Sequence, residues 1–312
     1  MEIVFPVKEG QQMRRDAGMN GEAKDSKILA FLYQTVPGRI LLKVLTGRAI
    51  SKLCGSYLDS PLSRSLISRF VRKYQIPLSD YTEQSFPSFN AFFSRQIKSE
   101  LRPITEDPES LISPCDGLMS AYRISEGTVL PIKQSTYTVS ELLGGDPVSL
   151  RYSDGVCLVF RLCVDHYHRY CYLDSGEKGV NIFLPGKLHT VRPVALAEYP
   201  VFVQNCREYT VMKTAHFGTV IQVEVGAMLV GKIVNHQAAG SFLRGQEKGL
   251  FRYGGSTIVV LLEKNRVFLP EEFFRSTEQG REIPVRMGEC IGRSCAVPEI
   301  LSSEKSAVAV AP

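Results

Sequence analysis

Gly155-Val-Cys-Leu-Val-Phe-Arg-Leu-Cys-Val164, Gly218-Thr-Val-Ile-Gln-Val-Glu-Val225 and Ser256-Thr-Ile-Val-Val-Leu-Leu-Glu263 are the stretches that decide the fold. Each is a short run rich in β-branched or aromatic residues, bounded by glycine or a polar residue, as strands are. In the second, Val220, Gln222 and Glu224 alternate with Ile221, Val223 and Val225, which predicts a half-buried strand. The Ser256 run is apolar on both faces and is expected to be a central strand. Strands at even spacing, with few helical windows between them, point to a mainly antiparallel, sandwich- or barrel-like domain rather than a βαβ fold.

Upstream of about residue 105 the period changes. Leu41, Val44, Leu45 and Leu53 recur at helical spacing, and Leu62, Leu66 and Phe70 form a second apolar row. Between Phe31 and Asp80 eight Lys or Arg stand against two Asp or Glu, a local excess of +6. Basic amphipathic helices of this kind either lie on an anionic membrane surface or pack on the core with a solvated cationic rim. The class is therefore α+β. A helical, basic region over 1–105 precedes a β-rich domain over 106–302 and a loose tail over 303–312, with a short strand expected at Glu2–Val7.

The 312 residues suffice for a large core without staples, and the net charge of +5 falls well short of a nucleic-acid binder. Eight scattered cysteines with no CxxC pair argue for a reducing compartment and against structural zinc. The N-terminus lacks the order of a signal peptide, and no run has the length of a transmembrane helix.

No phosphate loop, HExxH or GxSxG occurs. His166 and His168 alternate around Tyr167, so on a strand both would face one way, but no third and fourth metal ligands stand out and no metal is expected. Gly254-Gly255-Ser256-Thr257 reads either as a Gly-Gly hairpin turn or as a serine following an unencumbered peptide. With Asp116 in Ser113-Pro-Cys-Asp-Gly117 and His168 in Asp165-His-Tyr-His-Arg-Tyr170, Ser256 completes the residue types of a nucleophile, its base and an orienting carboxylate. Taken singly, Asp116 reads equally as a turn cap and His168 as a structural histidine.

Together these segments resemble the phosphatidylserine decarboxylases, in particular the bacterial type related to clostridial proteins. The resemblance runs from about Phe31 to Gly292 and includes Ser88-Phe-Asn-Ala-Phe-Phe-Ser-Arg95, Arg102-Pro-Ile, Ser113-Pro-Cys-Asp-Gly117, Ile132-Lys and Tyr137. It continues through Tyr167-His-Arg-Tyr170, Gly186-Lys-Leu-His-Thr-Val191, Asn205-Cys-Arg-Glu208 and Glu224-Val-Gly-Ala227. Gly231-Lys-Ile, Gly245-Gln-Glu-Lys-Gly249 and Gly254-Gly-Ser-Thr257 complete it.

The resemblance implies a self-processing proenzyme cut at Gly255–Ser256, into a β-chain of 1–255 and an α-chain of 256–312, the latter about 6.4 kDa of the 34.8 kDa total. Ser256 would become a covalent pyruvoyl group, whose ketone takes the headgroup amine and serves as the electron sink for CO2 loss. Carried onto matching positions, His168 is the base and proton donor, Asp116 orients it, and His166 or His189 assists. Cys171 departs from the pattern, since some relatives carry a second histidine there, and Gly254 stands where many have leucine. The implied partners are phosphatidylserine in an anionic membrane surface and the α- and β-chains as a heterodimer, with a homodimer of these as a further expectation and no nucleic acid. The expected location is peripheral, on the cytoplasmic face of a bacterial cell membrane. Two alternatives stay open: a pyruvoyl decarboxylase of another serine-headed lipid or amino acid, and a non-catalytic lipid-binding β-domain.

Overall fold

The computed structural model describes residues 27–125, 129–132, 135–190, 195, 200–227, 232–252 and 256–295. The expected strand at Glu2–Val7, the tail and Gly254–Gly255 lie outside the described residues. Helices Lys27–Gln34, Val36–Leu45, Arg48–Asp59, Ser65–Tyr74 and Phe89–Phe93 precede the strands. Ser88 caps the last of these by accepting from Ala91 N, which sets the entry of the Phe-rich turn.

In chain order the strands are β1 (Ser110–Ile112), β2 (Gly117–Arg123), β3 (Val129–Ile132), β4 (Ser135–Thr138), β5 (Val156–Leu162) and β6 (Arg169–Cys171). There follow β7 (Gly176–Lys178), β8 (Ile182–Leu184), β9 (Arg207–Thr214), β10 (Thr219–Val225), β11 (Ile233–Asn235) and β12 (Gly240–Phe242). The last are β13 (Glu247–Phe251), β14 (Ser256–Leu262), β15 (Val267–Phe268), β16 (Ile283–Val285) and β17 (Cys290–Ser294). The large sheet has the order β12-β7-β9-β10-β14-β5-β2-β16, with β8 added on β9, and every ladder in it is antiparallel. It does not close into a barrel among the described residues, because β12 and β16 remain its two edges. A smaller sheet, β11-β13-β6, carries the strand that leads toward Ser256.

β14 lies between β10 and β5 and is buried throughout, as its apolar pattern predicts. The half-buried reading of β10 is corrected. All seven of its residues are buried, and Gln222 and Glu224 are both at 0% exposure. The polar face does not meet water, because Glu224 Oε1 accepts from Lys248 Nζ (2.6 Å) on β13, in a salt bridge that is itself fully buried. Lys248 also donates to Asn235 Oδ1 (2.8 Å) on β11, so a polar layer joins the two sheets. Alternation reports a change of polarity between faces, and a paired polar face can be as dry as an apolar one.

The apolar rows of the helices divide. Leu42 is buried with Leu32 and Tyr33 in the main core, and Leu66 and Phe70 pack partly against a second cluster around Phe89, Phe92 and Phe93. Leu41, Leu53 and Leu62 face outward, Leu62 at 76% exposure, together with Phe31, Val36, Ile40 and Tyr57.

Candidate active site

The site is built where β13 hands the chain to β14. The two strands do not pair with each other: β13 bonds β11 and β6, whereas β14 bonds β10 and β5. The hairpin alternative for Gly-Gly is thereby overturned, since the chain crosses here from the small sheet to the large one. Ser256 is the first residue of β14, opposite Leu162 of β5, and it is fully buried. Its Oγ has no hydrogen-bond partner among the described residues. A buried hydroxyl left unpaired costs about 1–3 kcal/mol, so its retention calls for a reason.

Beyond Leu162 the chain turns tightly, with His166 N donating to the Cys163 carbonyl (2.9 Å), before β6 begins. His166 and His168 are thus on a turn rather than a strand, and the expectation that they share a face is corrected. His168 is fully buried, whereas His166 is partly exposed. The His168 carbonyl accepts from Phe251 N (2.9 Å), which ties the histidine to the end of β13, while Leu162 ties the same loop to Ser256. The His168 ring packs against Phe93, with centroids 4.1 Å apart. Its Nδ1 lies 2.9 Å from the His166 carbonyl oxygen, which only accepts, so Nδ1 is the nitrogen that carries a proton and Nε2 is the buried nitrogen on the other side of the ring.

Asp116 sits at the same end of the sheet. Leu118 and Thr257 both lie across from Arg161, which places Asp116 and Ser256 near opposite flanks of β5, about 9–10 Å apart at two strand spacings. The Pro114 carbonyl accepts from Cys171 N (2.8 Å), joining the Asp116 turn to β6. The carboxylate itself is held by Arg102, through Nε (2.7 Å) and through Nη2, and by Met287 N (2.9 Å). It makes no hydrogen bond to His168; its charge falls instead on His166, as one of the secondary influences on that ring. Burial, the largest influence, holds the His166 imidazole below its usual range.

His189 is tied by its backbone to the end of β10, the strand next to β14. Val225 is opposite Thr257, and the next residue, Gly226, has a carbonyl that accepts from Asn205 Nδ2 (2.7 Å). Asn205 also accepts from His189 N (2.9 Å) and donates to its carbonyl (2.8 Å). The His189 Nδ1 lies 3.4 Å from the Tyr33 hydroxyl, and burial pushes the ring down to about 4. Cys171, at the position of the missing histidine, is buried and its thiol is pushed up to about 12, so it offers no base near neutrality.

Cys163, Asp165 and His166 do bring ligand atoms within 4.8 Å of one another. The Cys163 Sγ already accepts from Arg161 Nη1 (3.1 Å), and His166 Nδ1 accepts from Cys163 N (3.2 Å), so these donors serve the turn. Sequence reasoning missed the Arg102 clamp, although Arg102-Pro-Ile carried its signal. It also missed Phe93 as the wall of the His168 ring.

The fold and site define a class: an α+β protein with a buried serine at the start of a central strand of its large sheet and a buried histidine on the loop that leaves the neighbouring strand. A family model for phosphatidylserine decarboxylase matches residues 89–293. The chain is 42% identical over 267 residues to phosphatidylserine decarboxylase proenzyme 2 of Clostridium acetobutylicum, covering 85% of this chain and 91% of that one. It is 39% identical over 272 residues to the phosphatidylserine decarboxylase proenzyme of Ruminiclostridium cellulolyticum, covering 85% and 91%. With a Clostridium botulinum proenzyme of the same name it shares 38% over 272 residues, covering 85% and 92%. The chain belongs to the phosphatidylserine decarboxylase family.

Proposed function

We propose that the chain is a self-processing, pyruvoyl-dependent enzyme that converts phosphatidylserine to phosphatidylethanolamine and CO2 in phospholipid synthesis. The observation that carries this reading is the fully buried Ser256 hydroxyl with no hydrogen-bond partner among the described residues, at a crossing between sheets. Such a hydroxyl suits the pyruvoyl precursor, because no hydrogen bond to a described residue has to break before it reacts.

In this reading His168 Nε2 takes the Ser256 hydroxyl proton, and Oγ attacks the Gly255 carbonyl carbon. The Gly255–Ser256 C–N bond breaks, leaving an ester and a free Ser256 amine. Loss of the Ser256 Cα proton then expels the Gly255 carboxylate, and water replaces nitrogen, which leaves as ammonia. When formed, the pyruvoyl ketone supplies the electron sink for decarboxylation. The His166 carbonyl fixes the His168 tautomer, Phe93 holds the ring, and Asp116, clamped by Arg102, contributes negative charge nearby. His168 then returns a proton to the substrate carbon, with His166 and His189 as flanking groups. The new α-chain stays in place as a heterodimer partner, because Ser256–Leu262 is paired along both edges.

The enzyme acts as a peripheral protein at the cytoplasmic face of the cell membrane, with the helices of 31–80 toward the lipid. Exposed Leu41, Leu53, Leu62 and Ile40 support this, alternating with the basic residues of the same helices. No helix among the described residues is long and apolar enough to cross a membrane.

Intact-mass measurement tests the reading. The expected result is a large chain and a small one of about 6.4 kDa whose first residue is a ketone, while Ser256→Ala stays whole and inactive. An active wild-type sample that remains a single polypeptide overturns it.

A further inference from the structure

A surface cleft of about 430 Å3 opens between helix Ser65–Tyr74 and the segment around Gln84–Phe86. This is within the size range of small-ligand sites. Arg64, Ser68 and Arg72 line one wall as an i, i+4, i+8 row, and Ile67, Val71, Leu78 and Phe86 supply apolar surface. Arg64 has helical backbone angles (φ −56, ψ −34), so the row is continuous and spans about 12 Å along the axis, with Ser68 at its middle. Gln84 and Ser85 complete the lining, and no carboxylate lines it among the described residues.

Neither guanidinium makes an ion pair or hydrogen bond among the described residues, in contrast to Arg102, Arg161 and Arg169, each of which holds a carboxylate. Two unneutralised cations with a hydroxyl between them, beside apolar surface, complement a phosphodiester that carries a hydrocarbon tail. The place agrees, since Leu62, 76% exposed, lies two residues before Arg64 and belongs to the outward apolar surface of the helices.

We infer that this cleft binds the phosphodiester headgroup of an anionic phospholipid, at a site separate from Ser256. The inference rests on the membrane-surface reading, and it adds a particular lipid seat to a general cationic field. The seat takes an anionic lipid whether or not its headgroup bears an amine.

The test uses a lipid that cannot be decarboxylated. Dihexanoyl-phosphatidylglycerol, kept monomeric in solution, is titrated into the full-length protein by calorimetry, with dihexanoyl-phosphatidylcholine and inorganic phosphate as parallel probes. The expected result is saturable binding of the glycerol lipid, weakened about 25-fold in R64Q/R72Q, at about fivefold for each cation near a phosphate. R69Q/K73Q removes two charges of the same helix outside the cleft and should bind monomeric lipid as the parent does. Thermal midpoints of both variants check that they are folded, and R64Q and R72Q singly replace the double variant if it is not. Equal weakening in R69Q/K73Q overturns the proposal in favour of a diffuse field. Equal binding of inorganic phosphate reassigns the cleft to a free anion, and equal binding of the choline lipid shows that net anionic charge is not what is recognised. Because the probe is not a substrate, failure here leaves the decarboxylase reading standing, and failure of self-cleavage leaves this one standing.

Discussion

Replacing Lys248 by methionine isolates the pair that joins the two sheets near the start of β14. Lys248 and Glu224 are both at 0% side-chain exposure, and the ammonium donates to Glu224 Oε1 at 2.6 Å and to Asn235 Oδ1 at 2.8 Å. Removing one partner of a buried pair costs about 3–5 kcal/mol, because the other charge is stranded where water cannot reach it. Here the lower end applies, since Gln222 Nε2 (3.0 Å) and Asn235 Nδ2 (3.3 Å) still donate to the Glu224 carboxylate. The expected loss of about 3 kcal/mol lowers the folded-to-unfolded ratio more than a hundredfold. Urea unfolding measures it, with Ser256→Ala in every chain so that whole polypeptides are compared. Adding Glu224→Gln to Lys248→Met removes the stranded charge and should recover at least half of the loss. A single variant within about 1 kcal/mol of its parent, or a double variant no more stable than the single, would refute the argument that charge desolvation governs this layer.

Phe93→Ala removes the ring that walls His168 at 4.1 Å. It should cost about 3–5 kcal/mol and slow self-cleavage at least tenfold, with Phe93→Leu intermediate; parental cleavage kinetics in folded Phe93→Ala protein count against a positioning role. Burial holds His189 at about 4 in the folded chain, below the value of about 6.5 expected unfolded. The unfolded state therefore binds more protons between these values, and stability falls as pH drops from about 6.5 toward about 4. Urea midpoints against pH should show a shallower fall in His189→Gln, and an unchanged slope would mean that other groups carry the acid sensitivity.

Much of the architecture was legible in short-range pattern. The apolar run of Ser256–Leu262 marks a central strand because a strand covered on both faces has no room for polar side chains. The helical period upstream of residue 105 likewise follows from local spacing. The residue types at Asp116, His168 and Ser256 were readable because each sits in a short motif. Glu224 was misjudged because its partner, Lys248, is 24 residues away on another sheet. Leu41, Leu53 and Leu62 were ambiguous for a related reason, since periodicity defines an apolar face without saying what covers it.

The sequence by itself determined the main strands and helices of the described residues and which residue types are candidates for chemistry, since propensity and period act over a few residues. Only the tertiary structure decided that β13 and β14 do not pair with each other, because the partners of both strands come from distant parts of the chain. It likewise decided that a backbone carbonyl orients His168 while Arg102 holds Asp116. Hydrogen-bond geometry depends on positions in space to within a few tenths of an ångström, and no spacing along a chain specifies that.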